Sequence, residues 1–174
     1  MEVVKSAKGT NVTIVADGGI RQIGDMTKAL AVGAHAVMLG SLLAGFDESP
    51  GEKVVVNGTE YKHYRGMGSV ASMKKGSAER YGQVKDDKVS MLIAEGVEGL
   101  VRYKGPVDEY LTQVAGSLRS SFYYIGAKNL AEVQEKATFI KITPASLIES
   151  HPHNILISDS GDNYLEEVDK RITL

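Results

Sequence analysis

Residues 11–41 constrain the fold more than any other stretch of the chain. Val12-Thr-Ile-Val-Ala16 is a β-branched apolar run of strand length. It breaks at Asp17-Gly18-Gly19, where small residues let the backbone turn sharply beside a ligand. From Asp25, the residues Met26, Ala29, Leu30 and Gly33 recur at i, i+3, i+4 and i+7, one face of an amphipathic helix that ends near the Gly33 breaker. Ala36-Val-Met-Leu39 reads as a second strand, closed by Gly40-Ser41. Strand, Gly-rich turn, helix and strand in this order predict a right-handed βαβ unit whose two loops leave the same, C-terminal, end of a parallel sheet. α/β proteins bind ligands at that end, and the N–H groups of Gly18, Gly19, Gly40 and Ser41 suit a phosphate. Gly18 and Gly19 suit a tight βα turn without any ligand equally well. Apart from Thr13 both strands are apolar, as strands covered on both faces are.

The flanking chain supplies weaker signals. Glu2 to Lys8 carries a faint helical pattern in Val3, Val4 and Ala7, as if the chain started in the middle of a fold. After Ser41, Leu42-Leu-Ala-Gly45 predicts a short helix and Asp47-Glu-Ser-Pro-Gly51 a turn. Lys53–Val56 and Glu60–His63 flank Asn57-Gly58, the strongest short hairpin cue. The hairpin delivers Tyr64-Arg-Gly-Met-Gly-Ser69, and Ala71 to Val89 is polar and nearly aperiodic, which predicts a mobile segment. Order returns at Met91-Leu-Ile-Ala94, followed by Glu95-Gly-Val-Glu-Gly99. Gly105-Pro106 places proline in the first turn of a helix striped by Val107, Tyr110, Leu111, Val114, Ala115 and Leu118. Asn129 with Glu132 resembles a capping box for a helix from Leu130 to Ala137. Phe139-Ile-Lys-Ile-Thr143 alternates like a strand that Pro144 ends, and from Glu149 onward the chain is polar, an extended tail.

The 174 residues suffice for one ordinary domain, with a single core expected over residues 1–174. A formal charge of −2, from 20 basic and 22 acidic residues, argues against a generic nucleic-acid surface. No apolar run reaches membrane-spanning length, and Glu2 and Lys5 stand where a signal peptide would need apolar residues, so a soluble cytoplasmic protein is expected. With no cysteine, the chain itself holds no disulfide, thiolate metal site or cysteine nucleophile.

Asp17-Gly-Gly19, Gly40-Ser41, Tyr64-Arg-Gly-Met-Gly-Ser69, Ser77-Ala-Glu-Arg80-Tyr81, Glu95-Gly96 and Glu149-Ser-His151 stand in the order and rough spacing of the C-terminal part of IMP dehydrogenase. Each piece alone is common, but six in register make a specific resemblance that covers essentially the whole chain. It implies an α/β fold, the C-terminal portion of a (β/α)8 TIM barrel. On that reading residues 11–45 form the phosphate-binding βαβ unit and 52–69 the hairpin and base-binding loop. Residues 70–90 form a mobile flap, 91–143 closing helices and a strand, and 144–174 the C-terminal tail. The chain is shorter than the roughly 250 residues of a complete barrel. The family's catalytic loop, with its nucleophilic cysteine and most potassium ligands, lies upstream of the matching region.

The resemblance implies that Asp17 binds the ribose hydroxyls of IMP and that Gly19, Gly40 and Ser41 hold its 5′-phosphate, with Tyr64 adding a hydroxyl donor and Gly18 belonging to the same substrate site. A dianion needs several N–H and O–H donors and a cis-diol needs acceptors. The backbone of Met67 and Gly68 would meet the purine edge and Glu95 would accept from the base, with Gly66 and Gly96 in the same substrate site; a solvated loop carboxylate is the alternative for Glu95. Arg80 and Tyr81 match a catalytic flap pair that enters the site vacated by NADH, the arginine serving as general base toward water. Since arginine is almost always protonated, that role demands desolvation, and an exposed pair in a mobile loop is the alternative. Glu149, Ser150 and His151 resemble the tail residues that complete a potassium site on a neighbouring subunit; a transition-metal pair of His151 and His153 is the weaker alternative. NAD, potassium, IMP and a homotetramer follow from the resemblance, as does association with an upstream barrel fragment. GMP reductase shares the phosphate motifs but lacks the Arg-Gly-Met-Gly loop and the Arg-Tyr flap. A purine-nucleotide-binding module or complementing half-barrel without chemistry of its own is the other reading.

Overall fold

The computed structural model describes residues 1–77 and 96–150. They fall into two compact units, residues 1–39 with 109–150, and residues 40–77 with 96–108.

The first unit contains the βαβ arrangement that the Asn11–Ser41 pattern predicts. β1 (Val15–Asp17) and β2 (Ala36–Met38) pair in parallel, with Val15 opposite Ala36 and Asp17 opposite Met38. Between them runs α2 (Ile23–Ala31), after a short α1 (Glu2–Ala7). The start of α2 is fixed by a capping box in which the Asp25 carboxylate accepts from the N–H groups of Arg21 and Gln22, at 3.1 and 3.2 Å. Burial acts to raise the Asp25 carboxyl, but the Arg21 N–H, the Lys28 ammonium and the Gln22 N–H outweigh it and hold the group below its ordinary range. Gly33 ends the helix at φ 108°, and a Cβ there would stand 2.5 Å from Val4, so α1 packs against a turn open only to glycine.

α4 (Asp108–Ile125) and α5 (Leu130–Lys136) complete this unit. Ala31, Ala127 and Val133 form its buried cluster, flanked by Phe122, Ile125 and Ala137. The Gln134 amide donates to the carbonyls of Leu30 and Ala34, tying α5 to the C-terminal end of α2. The expected Asn129 cap is present, its side chain accepting from Glu132 N–H at 3.0 Å. Glu132 accepts from Lys128 N–H and from Lys136, and the Lys136 bond, then the Lys128 one, lowers its carboxyl pKa.

In the second unit, β3 (Lys53–Val56), β4 (Thr59–Arg65) and β5 (Glu98–Arg102) form one antiparallel sheet in that order. Asn57 and Gly58 both have positive φ, 52° and 79°, as a tight hairpin turn requires. α3 (Val70–Ser72) follows, capped by the Ser69 hydroxyl, and runs into a wide helical turn over Met73–Ser77.

Several expectations are corrected. Phe139–Thr143 is no strand: its apolar residues have no partner strand among the described residues and lie exposed, Ile140 by 81%. Pro144 does not end a strand there; it begins α6 (Pro144–Glu149), with Thr143 as the cap. Leu42–Gly45 makes successive i→i+3 turns rather than a helix, with Leu43 N–H on Gly40 O and Ala44 N–H on Ser41 O. Within the expected mobile stretch, α3 and the turn over Met73–Ser77 are ordered in helical form except at Gly76, whose φ of 125° kinks the chain, and β5 is a strand that the sequence pattern does not predict. Pro106 precedes α4 by two residues instead of sitting in its first turn. β1 and β2 are not covered on both faces, since Val15 is 47% and Met38 53% exposed. Met91–Ala94, residues 78–90 and the tail from His151 lie outside the described residues.

Candidate functional site

Two loops leave the parallel pair at its C-terminal end, where Asp17 stands opposite Met38. In the first unit, Asp17 closes β1 with its side chain exposed, and Gly18 and Gly19 follow with φ of 97° and 76°. A Cβ at either glycine would meet nothing within 4 Å, so the backbone conformation rather than crowding demands glycine there.

In the second unit the structure brings Gly40 and Tyr64 together. A Cβ built on Gly40 would lie 3.7 Å from the Tyr64 hydroxyl. The turn that starts at Gly40 uses the carbonyls of Gly40 and Ser41 internally, and the leading N–H groups of such a turn have no acceptor within it. A hydroxyl and a set of turn N–H groups are donors of the kind an anion takes.

The segment Tyr64–Ser69 is held from several sides. Gly66 N–H donates to Val97 O at 2.9 Å, and Ser69 N–H to Gly66 O. A Cβ on Gly96 would stand 3.0 Å from Gly68 C and Ser69 N, so residue 96 passes directly over the Gly68–Ser69 peptide. Three of the expected base-binding residues, Gly66, Gly68 and Gly96, are thus neighbours. Met67 projects outward, 50% exposed, while its carbonyl accepts from the Ser77 hydroxyl at 2.7 Å. Glu98, from β5, accepts from Ala71 N–H and helps start α3.

Sequence reasoning passed over Lys62. It lies on β4, only 3% exposed, and its ammonium donates to the carbonyls of Phe46 at 2.6 Å, Asp47 at 3.3 Å and Ser49 at 2.5 Å. Beside it, Tyr103 donates to the Asp47 carboxylate at 2.9 Å, and Lys53 sits 3.7 Å from the centre of the Tyr103 ring. The bond to Tyr103 raises the Lys53 pKa, aided by the charges of Asp47 and Glu60. A lysine between two aromatic residues in an alternating strand carries no cue that it points inward.

Arg80, Tyr81, Glu95 and His151 lie outside the described residues. Glu149 ends α6, and the Ser150 hydroxyl donates to Ser146 O at 2.7 Å. Among the described residues no cluster of three or more His, Cys, Asp or Glu could hold a metal.

Residues 1–153 match the model of the IMP dehydrogenase / GMP reductase domain. The chain belongs to this family. It is 56% identical over 169 residues to inosine-5′-monophosphate dehydrogenase of Methanocaldococcus jannaschii, covering 94% of this chain and 34% of that protein. It is 55% identical over 152 residues to the Bacillus subtilis enzyme, covering 87% of this chain and 30% of that one. A solved structure of GMP reductase from Trypanosoma brucei in complex with guanosine 5′-monophosphate superposes with a TM-score of 0.75 at 41% identity, over 88% of this chain and 30% of that chain. The family chain thus spans about a third of the length of these relatives, and its α/β fold is consistent with part of a barrel. No helix among the described residues is long and apolar enough to cross a membrane.

Proposed function

We propose that this chain is the nucleotide-holding portion of an NAD-dependent IMP dehydrogenase, the cytoplasmic enzyme that oxidises IMP to XMP on the way to guanine nucleotides. The observation that carries the reading is the 56% identity to an archaeal IMP dehydrogenase over 169 residues. The placement of the Tyr64 hydroxyl beside Gly40 supports it. On this reading residues 1–174 act as one domain.

Each residue then has a task that its chemistry suits. The Asp17 carboxylate accepts from the ribose hydroxyls. Gly18, Gly19, Gly40, Ser41 and Tyr64 donate to the 5′-phosphate. Gly66, Met67, Gly68 and Gly96 bring backbone up to the purine, and Glu95 accepts from its edge. NAD, when bound, would supply the acceptor for the hydride that leaves C2 of IMP once a nucleophile from outside this chain has added there. Arg80 and Tyr81 orient the water that supplies the new oxygen at C2 as the nucleophile leaves, with a desolvated, neutral Arg80 receiving the water's proton. None of the described residues is assigned to NAD. For potassium, the carboxylate of Glu149 and the hydroxyl and carbonyl oxygens of Ser150, at the end of α6, are hard oxygen donors of the kind that cation takes. With His151 they would hold the ion at a contact between subunits of a homotetramer.

The oxidation requires an activated nucleophile, and this chain has no cysteine. The chain alone is therefore expected to give no NADH from IMP and NAD, and to gain that activity when mixed with the upstream barrel fragment that bears the cysteine loop. Complex formation without IMP-dependent NADH would favour the second reading, a nucleotide-binding or structural module. Conversion of GMP to IMP and ammonia by the same pair of fragments, supplied with a reduced nicotinamide cofactor as hydride donor, would favour a GMP reductase.

A further inference from the structure

We propose that Lys62 is a positioning residue for the phosphate-binding turn, its ammonium fixing residues 46–49 and through them Gly40 and Ser41. The inference rests on the reading of Gly40, Ser41 and Tyr64 as the phosphate site.

A buried ammonium is costly unless its hydrogen bonds are complete. Lysine has three N–H donors, and here three backbone carbonyls, those of Phe46, Asp47 and Ser49, converge on them. Three carbonyl dipoles aimed at one point repel one another, so the curvature of this turn depends on the cation at its centre. The constraint passes backward along the chain. The Ser49 hydroxyl donates to Leu43 O, Phe46 N–H donates to the same carbonyl, and Leu43 N–H donates to Gly40 O.

The strand supplies the second tie. Lys62 and Tyr64 are two residues apart on β4 and so face the same side. Tyr64 meets the turn at Gly40 while Lys62 holds it at residues 46–49. The two side chains clamp both ends of one segment against one strand, and the distance from the Tyr64 hydroxyl to the Gly40–Ser41 N–H groups follows from that clamp. The Lys62 ammonium itself is enclosed by the turn and serves phosphate only through it.

The absence of cysteine permits a direct test. In a Lys62→Cys variant of the full chain, unfolding, alkylation with 2-bromoethylamine and refolding restore an ammonium at this one position, on a side chain nearly isosteric with lysine. Calorimetric titration with IMP is expected to show affinity at least tenfold weaker in Lys62→Met and in unalkylated Lys62→Cys, with recovery to within about threefold after aminoethylation. Hydrogen exchange should accelerate in residues 40–49 of Lys62→Met and stay unchanged in α2 and α5. Undiminished IMP affinity in Lys62→Met overturns the proposal, as does an aminoethylated protein that recovers its fold but not its affinity. If the unmodified chain binds no IMP, the phosphate reading itself fails. Hydrogen exchange then decides for Lys62: selective loosening of residues 40–49 upholds the anchor, and unchanged protection refutes it.

Discussion

Gly40 and Gly51 belong to the same unit, yet a methyl group at each meets different neighbours. At Gly51 it would collide with the backbone carbonyl of His63, which a strand cannot move aside. At Gly40 it would make an ordinary 3.7 Å contact with the Tyr64 hydroxyl. Gly51→Ala is therefore expected to lower stability by about 1–3 kcal/mol in urea unfolding. Gly40→Ala should leave stability within about 0.5 kcal/mol of the parent and weaken IMP binding at least tenfold, about 1.4 kcal/mol. A Gly40→Ala protein that binds IMP as well as the parent would remove Gly40 from the site. Asp25 makes a pH-dependent prediction at the same scale. Its carboxyl is depressed in the folded chain, so its contribution is complete above the ordinary value of 3.8 and is lost as pH falls through the lower folded value. Asp25→Asn should cost about 1 kcal/mol at pH 7 and progressively less in more acid solution. A gap between the two proteins that widens on acidification would contradict the sign.

Among the elements, those with a strong pattern of their own, α2, α5, the hairpin and the β1–β2 pair, are legible in the sequence, whereas β5, made a strand by its partner, is not. The Met26, Ala29, Leu30 stripe marks α2 and the Asn129–Glu132 pair marks α5, because a helix closes its hydrogen bonds within itself. Asn57-Gly58 marks the hairpin because the turn needs positive φ at both residues. Gly58→Ala should accordingly cost about 1–2 kcal/mol, and an unfolding midpoint equal to the parent's would show that the turn relaxes without penalty. Phe139–Thr143 has the alternation of a strand, but a strand exists only when paired. β5 hides the same rule in reverse: Glu98-Gly-Leu-Val-Arg102 hardly alternates, and its pairing with Tyr61–Arg65 makes it a strand. The site follows the same division. The Gly-rich turns were visible as motifs, whereas the burial of Lys62 and the close passage of Gly96 over Gly68 depend on chain segments far apart in sequence.

For the molecule as a whole, the parallel pair carries a consequence for assembly. Among the described residues β1 and β2 form a two-stranded sheet, and parallel strands are ordinarily members of larger sheets covered on both faces. Val12, Val15 and Met38 are instead exposed, and apolar surface left in water costs about 25 cal/mol per Å². Unpaired N–H and C=O groups at a strand edge add a directional invitation to another chain. The chain alone is expected to self-associate as its concentration rises, and to exchange that contact for the upstream barrel fragment when both are present. Sedimentation velocity over a hundredfold concentration range measures the first part. Charged residues at Val15 and Met38, as Val15→Lys with Met38→Glu, should shift the population toward monomer without loss of helix signal. A single monomeric species of the unmodified chain at every concentration, unfolding cooperatively, would mean that these exposed residues do not drive association.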